Sequence, residues 1–266
     1  MLRQRFLTSL WAMALLLLAI YLGQPWFTFF MALMTLAAAW EFYRFRPSPR
    51  PLAALALVLS PFFSLVQLWQ GGWSWALGVG YLLGGVLGLF WSRRASPPGR
   101  TSPVGRGILW ETYVILYLGL LLSSWVATRN LAGGREWVLL GFLATFACDT
   151  AAYFVGRAWG RRRLAPHISP GKTWEGAAGG FVGAVLAAVV LVWLLHLPLT
   201  LGPAILLGAG VGKVAQLGDL AESWLKRSYG VKDAGGILPG HGGVLDRIDS
   251  IALTGPLVYY LGTWLQ

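Results

Sequence analysis

The sequence predicts an all-α integral membrane protein with about nine transmembrane helices, and three observations carry that reading. Only 12% of the 266 residues are charged while 56% are hydrophobic, roughly half the charged fraction of a soluble domain. The charges are also segregated, since neither Pro51–Ser92 nor Gly176–Gly212 contains an Asp, Glu, Lys or Arg. Crossing about 30 Å of hydrocarbon takes about 20 apolar residues, so each run suffices for two crossings or nearly so. Finally, the basic residues fall almost wholly in alternate loops.

Taken in chain order, the expected spans are Leu7–Leu22, Trp26–Trp40, Leu52–Leu68, Trp73–Trp91, Ile108–Ala127, Trp137–Trp159, Ala177–Leu197, Thr200–Leu217 and Ile248–Leu265. The first follows Arg3 and Arg5, as a signal peptide would, but it ends in "YLGQPW" without a small-x-small cleavage site. It is therefore expected to be retained as a helix. Gly23-Gln24-Pro25, Pro47 to Pro51, Gly71-Gly72 and Pro198 punctuate the junctions.

Arg3 and Arg5 precede the first span. Arg44, Arg46 and Arg50 follow the second, and Arg93, Arg94, Arg100 and Arg106 follow the fourth. Arg157, Arg161, Arg162, Arg163 and Lys172 cluster at and after the end of the sixth. Lys213, Lys226, Arg227, Lys232 and Arg247 surround the segment between the eighth and ninth. Of the 21 basic residues only Arg129 and Arg135 fall on the other side. The positive-inside rule then predicts a cytoplasmic N-terminus and a C-terminus outside. The formal net charge of +11 has the same explanation, aided by anionic headgroups. No basic run interleaves with exposed aromatics, so no nucleic-acid partner is expected. Cys148 is the single cysteine, which excludes an intramolecular disulfide and a thiolate metal cluster.

The acids are distributed differently. Glu41, Glu111 and Glu136 alone precede residue 140, and the other seven follow it. We therefore expect an N-terminal transmembrane scaffold over residues 1–130 and a C-terminal catalytic region over 131–266. Asp149, in "FACDTAAYFVGRAWG", lies in or at the edge of the sixth span. A carboxylate there is costly unless it faces a cavity or a partner. It either pairs with Arg157 or serves a site. Glu111 has no motif around it and reads as structural.

"HISPGKTWEG" (His167 to Gly176) contains a GKT triplet. A Walker loop needs Gly where Pro166 stands, and no strand is expected before it, so a P-loop nucleotidase is excluded. Ser169, Lys172 and Thr173 beside a helix start suit phosphate binding; a helix cap with topology charges is the equally simple alternative. The richest stretch is "QLGDLAESWLKRSYGVKDAGGILPGHGGVLDRIDS" (Gln216 to Ser250). Asp219, Glu222, Ser223, Lys226 and Arg227 recur at helical spacing and share one face. Asp246 and Asp249 lie at i, i+3 where the ninth span begins. Two carboxylate clusters beside cations suit a Mg²⁺–phosphate site, because Mg²⁺ takes one or two carboxylates plus phosphate oxygens and waters. Glycines in "LPGHGG" let backbone approach a ligand closely. The plain alternative is an amphipathic surface helix followed by a turn, but mixed acids and bases on one face argue against a lipid-surface helix. His241 is not expected to bind zinc, since the other two histidines, His167 and His196, lie elsewhere.

The stretch Ser223–Asp249, "SWLKRSYGVKDAGGILPGHGGVLDRID", resembles the signature of the phosphatidate cytidylyltransferases, or CDP-diacylglycerol synthases. "CDTAAYFVGR", "SPGKTWEG" and "QLGDLAES" are similar to segments of the same family. The resemblance covers about residues 140 to 255. It implies transfer of the cytidylyl group of CTP to phosphatidic acid with Mg²⁺, giving CDP-diacylglycerol and pyrophosphate, in phospholipid synthesis at the cell inner (cytoplasmic) membrane. It further implies K⁺ or another monovalent cation as a second metal, and leaves a homodimer open. A polar segment beside lipid fits one water-borne and one membrane-held substrate.

On this basis Asp219, Asp246 and Asp249 are the expected metal ligands. Lys226, Arg227, Lys232 and Asp246 are the expected catalytic residues. Ser169, Lys172, Thr173, Ser223, His241, Gly242, Gly243 and Arg247 are the expected substrate contacts. No side-chain nucleophile is expected, since the phosphate monoester is one already. The rival readings are a CTP-using enzyme with another lipid acceptor, such as a polyprenol kinase or an archaeal-lipid cytidylyltransferase, and an anion transporter lined by Asp149 and Glu111. A transporter would often show two halves with matching interrupted helices, and no internal repeat is visible here.

Overall fold

The computed structural model describes residues 2–45, 51–67, 104–238, 240 and 242–265. In chain order its elements are α1 (Leu2–Leu22), α2 (Trp26–Tyr43), α3 (Pro51–Leu59), α4 (Phe62–Val66), α5 (Val104–Arg129) and α6 (Gly134–Trp159). There follow β1 (Arg163–Ala165), β2 (Ser169–Thr173), α7 (Trp174–Leu194), α8 (Leu201–Ser228) and α9 (Leu245–Leu265).

Among the described residues, five helical stretches are long and apolar enough to cross a membrane: α2, Glu111–Arg129 of α5, α6, α7 and α8. Leu10–Leu22 and Ala53–Val66 are shorter apolar helices. The expected ninth span is helical as α9 but is not among the five. Its sequence carries Ser250, Thr254, Gly255, Pro256, Gly262 and Thr263, which dilute its hydropathy. The expected fourth span, Trp73–Trp91, lies outside the described residues. The expected third span is broken into α3 and α4 at Ser60-Pro61. Proline has no N–H to donate and its ring clashes with the preceding turn.

The exposed surfaces are those of helices that meet hydrocarbon. Trp26, Phe29, Leu33, Leu36 and Trp40 form one exposed stripe on α2, and Val182, Leu186, Val190 and Trp193 form another on α7. Hydroxyls inside such helices donate back to their own backbone. Thr35 Oγ1 donates to Met31 O at 2.8 Å, Ser60 Oγ to Leu57 O at 3.0 Å, and Thr145 Oγ1 to Gly141 O at 2.8 Å. These three hydroxyls therefore need no solvation from lipid.

The chain divides into two compact units. One comprises Met1–Val126 with Ser228–Arg247, and the other Ala127–Arg227 with Ile248–Gln266. The first unit thus joins the N-terminal helices to the glycine-rich segment. In the second, α6 and α7 pack closely because small residues face each other. A Cβ on Gly180 would stand 2.9 Å from both Ala152 Cβ and Cys148 O.

Two details depart from the sequence reading. The all-α expectation misses a two-stranded antiparallel hairpin, in which Arg163 pairs with Thr173 and Ala165 with Ser169. The GKT triplet lies on its second strand, so the premise that no strand is present there was wrong. The exclusion of a Walker loop stands on Pro166. Helix α8 also continues past its expected end at Leu217 to Ser228, giving 28 residues. The face that carries Asp219 through Arg227 is therefore an extension of a spanning helix.

Candidate active site

The second unit contains a cavity of about 550 Å³. Asp149, Tyr153 and Arg157 of α6, Arg163, Ser169 and Lys172 of the hairpin, and Gln216 and Asp219 of α8 line it. Its position follows from local structure. Helix α6 ends at Gly160, and the three arginines that follow cannot enter an apolar helix interior. The chain turns back as a hairpin instead. Glu175, in the first turn of α7, holds that turn by accepting from Arg161 N at 3.1 Å and Arg162 N at 3.2 Å. Arg227 Nε donates to Ile168 O at 3.2 Å, which ties the hairpin to the end of α8.

Asp219 is the hub. Its Oδ2 lies 2.5 Å from Lys172 Nζ, and its Oδ1 accepts from Ser223 Oγ at 3.3 Å. Asp149 and Asp249 both lie within electrostatic range of Asp219 and of each other. Asp149 Oδ1 accepts from Ser250 Oγ at 3.3 Å, and Asp249 Oδ1 accepts from Ser250 N at 2.7 Å. Gly218 makes this gathering possible. A Cβ there would stand 2.5 Å from Asp249 O, so any other residue would force α8 away from α9. Asp149 and Asp219 line the cavity with Lys172 against Asp219, and Asp249 lies beside them, so acidic groups gather at the cavity wall.

Lys226 pairs with Glu222 at 2.7 Å, both side chains being largely buried. Thr173, read as a substrate contact, is buried, and its Oγ1 accepts from Gly176 N at 3.1 Å as the N-cap of α7. That hydroxyl caps the helix, and Thr173 also lines the cavity. Ser169 and Lys172 do face the cavity, and Ser223 sits beside Asp219.

The remaining expected site residues belong to the first unit. Asp246 accepts from Ala234 N through both oxygens, at 3.2 and 3.0 Å, and from Gly243 N at 3.0 Å. Its carboxylate thus closes the glycine-rich loop on itself. Gly242 has φ +80°, a left-handed conformation that glycine takes without strain. Gly243 is buried, while Lys232 and Arg247 are exposed. His241 lies outside the described residues.

Three participants escaped the sequence reading. Asp149 was noticed without a role, although an acid in an apolar span is itself the signal. Gln216 Nε2 donates to Ala177 O at 2.9 Å and lines the cavity, with no motif to announce it. Glu41, an acid at the end of an apolar span, reaches the loop: its Oε2 accepts from Leu245 N at 2.9 Å.

Mg²⁺ is the cofactor that this donor set has to be tested against. Among the described residues, no three of His, Cys, Asp or Glu converge closely enough to hold a metal by themselves. Mg²⁺ needs only one or two carboxylates when phosphate oxygens and waters complete its shell. The Asp149–Asp219–Asp249 cluster, which has three carboxylates to the one lysine paired with it, fits an ion of that kind arriving with a phosphate ligand.

The chain is 40% identical over 182 residues to the phosphatidate cytidylyltransferase of Synechocystis sp., which covers 68% of this chain and 59% of that protein. It is 42% identical over 151 residues to the protein of that name from Bacillus subtilis, covering 56% of each. Similarity to the Haemophilus influenzae protein of that name is 31% identity over 285 aligned positions and 98% of each chain. The matched segment spans little over half of the first two relatives. The sequence model of the cytidylyltransferase family matches residues 3–265, and this chain belongs to that family.

Proposed function

We propose that the chain transfers the cytidylyl group of CTP to phosphatidic acid, forming CDP-diacylglycerol and releasing pyrophosphate. Family membership and the printed names of the relatives support the reaction class. The observation that carries the proposal to this chain is the cavity itself. Within one unit its lining combines Asp149 and Asp219, which with the neighbouring Asp249 suit a divalent cation, with Lys172, Arg157, Arg163 and Ser169, which suit phosphate.

In this reading the phosphate oxygen of phosphatidic acid bonds to the α-phosphorus of CTP, and the bond from that phosphorus to the bridging oxygen breaks as pyrophosphate departs. Asp219 and Asp249, with Asp149 nearby, hold Mg²⁺, and Asp246 serves as a further ligand. When bound, Mg²⁺ neutralises charge on the triphosphate. Lys172 and Ser169 bind phosphate oxygens, while Lys226, Arg227 and Lys232 offset charge that grows as the bond breaks. Ser223 orients Asp219. Thr173, His241, Gly242, Gly243 and Arg247 contribute substrate contacts. A monovalent cation such as K⁺ remains part of the proposal with no residue of its own.

The setting is proposed too: nine spans in the cell inner (cytoplasmic) membrane, N-terminus in the cytoplasm, C-terminus outside, as a single chain or a homodimer. A reporter active only in the cytoplasm, fused after Gln266, should be silent. The decisive assay supplies labelled CTP to purified protein with phosphatidate, with polyprenol or without lipid. Product should form with phosphatidate and depend on Mg²⁺. Labelling of polyprenol alone would replace this reading with the kinase one.

A further inference from the structure

In the first unit, α2 carries a carboxylate that the reaction chemistry does not use. Glu41 is 2% exposed, although it lies near the end of a helix otherwise lined by apolar side chains. A buried carboxylate is costly unless hydrogen bonds repay its lost water. The partners of this one are backbone amides of a single loop, 204 residues away in sequence. Glu41 Oε2 accepts from Leu245 N at 2.9 Å, and the carboxylate also interacts with the amides of Ile237 and Val244. The loop has closed around it. A Cβ on Gly235 or on Gly243 would stand 2.5 Å from a Glu41 oxygen, so these two glycines are where the chain passes over the carboxylate. Asp246 grips the same loop at Ala234 N and Gly243 N. Between Gly230 and Leu245 the only backbone pairing resembling a strand is the bridge between Leu238 and Gly242, among the described residues. Carboxylates do here what a sheet would otherwise do.

We infer that Glu41 is a positioning residue for the reaction. It fixes the shape of the loop that carries Lys232, Gly242 and Gly243 and leads into Asp246, and so couples the N-terminal helices to catalysis. The catalytic half of this inference rests on the proposed function; the anchoring half does not.

The test separates the two. In the full chain with Cys148→Ala, a nitroxide is attached at Gly236→Cys, where an added Cβ meets nothing within 4 Å. A second protein carries it at Gly171→Cys on the hairpin, which is equally open. Glu41→Gln keeps the side-chain volume but turns one acceptor into a donor facing N–H groups. It should mobilise the Gly236 label and leave the Gly171 label unchanged. In unlabelled protein it should lower kcat by about a hundred-fold, the scale of a misplaced site, with a much smaller change in KM for CTP. Glu41→Asp, which keeps the acceptor at shorter reach, should recover part of both effects.

An unmoved Gly236 label overturns the inference. Equal mobilisation of both labels overturns it as well, since Glu41 would then be a general fold residue. A mobile loop with unchanged kcat overturns the positioning role. If the parent chain makes no CDP-diacylglycerol, the proposed reaction fails, and the two label positions still decide the anchoring.

Discussion

Two groups of carboxylates in this chain resemble each other in the sequence and differ in their surroundings. Asp149, Asp219 and Asp249 lie close to one another, with Lys172 against Asp219 and a cavity lined by Asp149 and Asp219. Glu41 and Asp246 face backbone amides. Repulsion within the first group is relieved by a cation, so its free energy depends on what arrives. The second group is held by backbone amides of the chain itself, through Glu41 Oε2 and both oxygens of Asp246, and fixes a conformation. A carboxylate's function is thus decided by whether its neighbours are charged side chains or N–H groups.

Asn substitutions at Asp219 and Asp246 offer the strongest way to break that contrast. Both should lower CDP-diacylglycerol formation by at least about a hundred-fold. Asp219→Asn should also alter the Mg²⁺ dependence and leave a label at Gly236 immobile, whereas Asp246→Asn should free the label. If Asp246→Asn works at near wild-type rate across a Mg²⁺ titration, its assignment as a ligand is lost.

Lys226 tests the boundary between the groups, because it is both an expected phosphate contact and the partner of Glu222. Lys226→Ala should severely reduce activity, and it should also destabilise the protein by roughly 3–5 kcal/mol by stranding a buried charge. Adding Glu222→Gln should restore the thermal midpoint and not the rate. Recovery of both would make Lys226 a structural residue.

A smaller effect is expected at Thr173. Loss of an N-cap costs about 1 kcal/mol, a shift of roughly 2–4 °C in Tm for a chain of this size. Thr173→Ala should show that shift with most activity kept. A large rate loss without a Tm change would put its substrate contact before its capping role. Smallest of all, Glu111→Gln should retain most activity, although Glu111 is only 1% exposed, because it belongs to neither group.

Sequence reasoning read the periodic features well and the long-range ones poorly. Helical spacing placed Asp219, Ser223 and Lys226 on one face of what proved to be α8, since 3.6-residue periodicity is local. The hairpin was missed because its two strands have three and five residues, too few for an alternating pattern. Glu41 was missed for a different reason. Its partner amides are fixed by how a distant loop folds back, and a backbone N–H leaves no mark on residue type. The capping role of Thr173 was legible as an alternative, and its hydrogen bond to Gly176 N shows the cap while the residue also lines the cavity.

The length of α8 has an energetic consequence. At 1.5 Å per residue, 28 residues extend about 42 Å, against about 30 Å of hydrocarbon. Even at a typical tilt of about 20° the helix outruns the bilayer core, and its polar end is the one bearing Asp219 through Arg227. A lipid phosphate met at that end leaves its acyl chains immersed. Drawing those chains into water would cost about 0.8 kcal/mol for each methylene, more over two full chains than any set of phosphate contacts returns. In the proposed reaction, a helix that overshoots the membrane would remove that barrier by bringing the water-soluble nucleotide to the lipid.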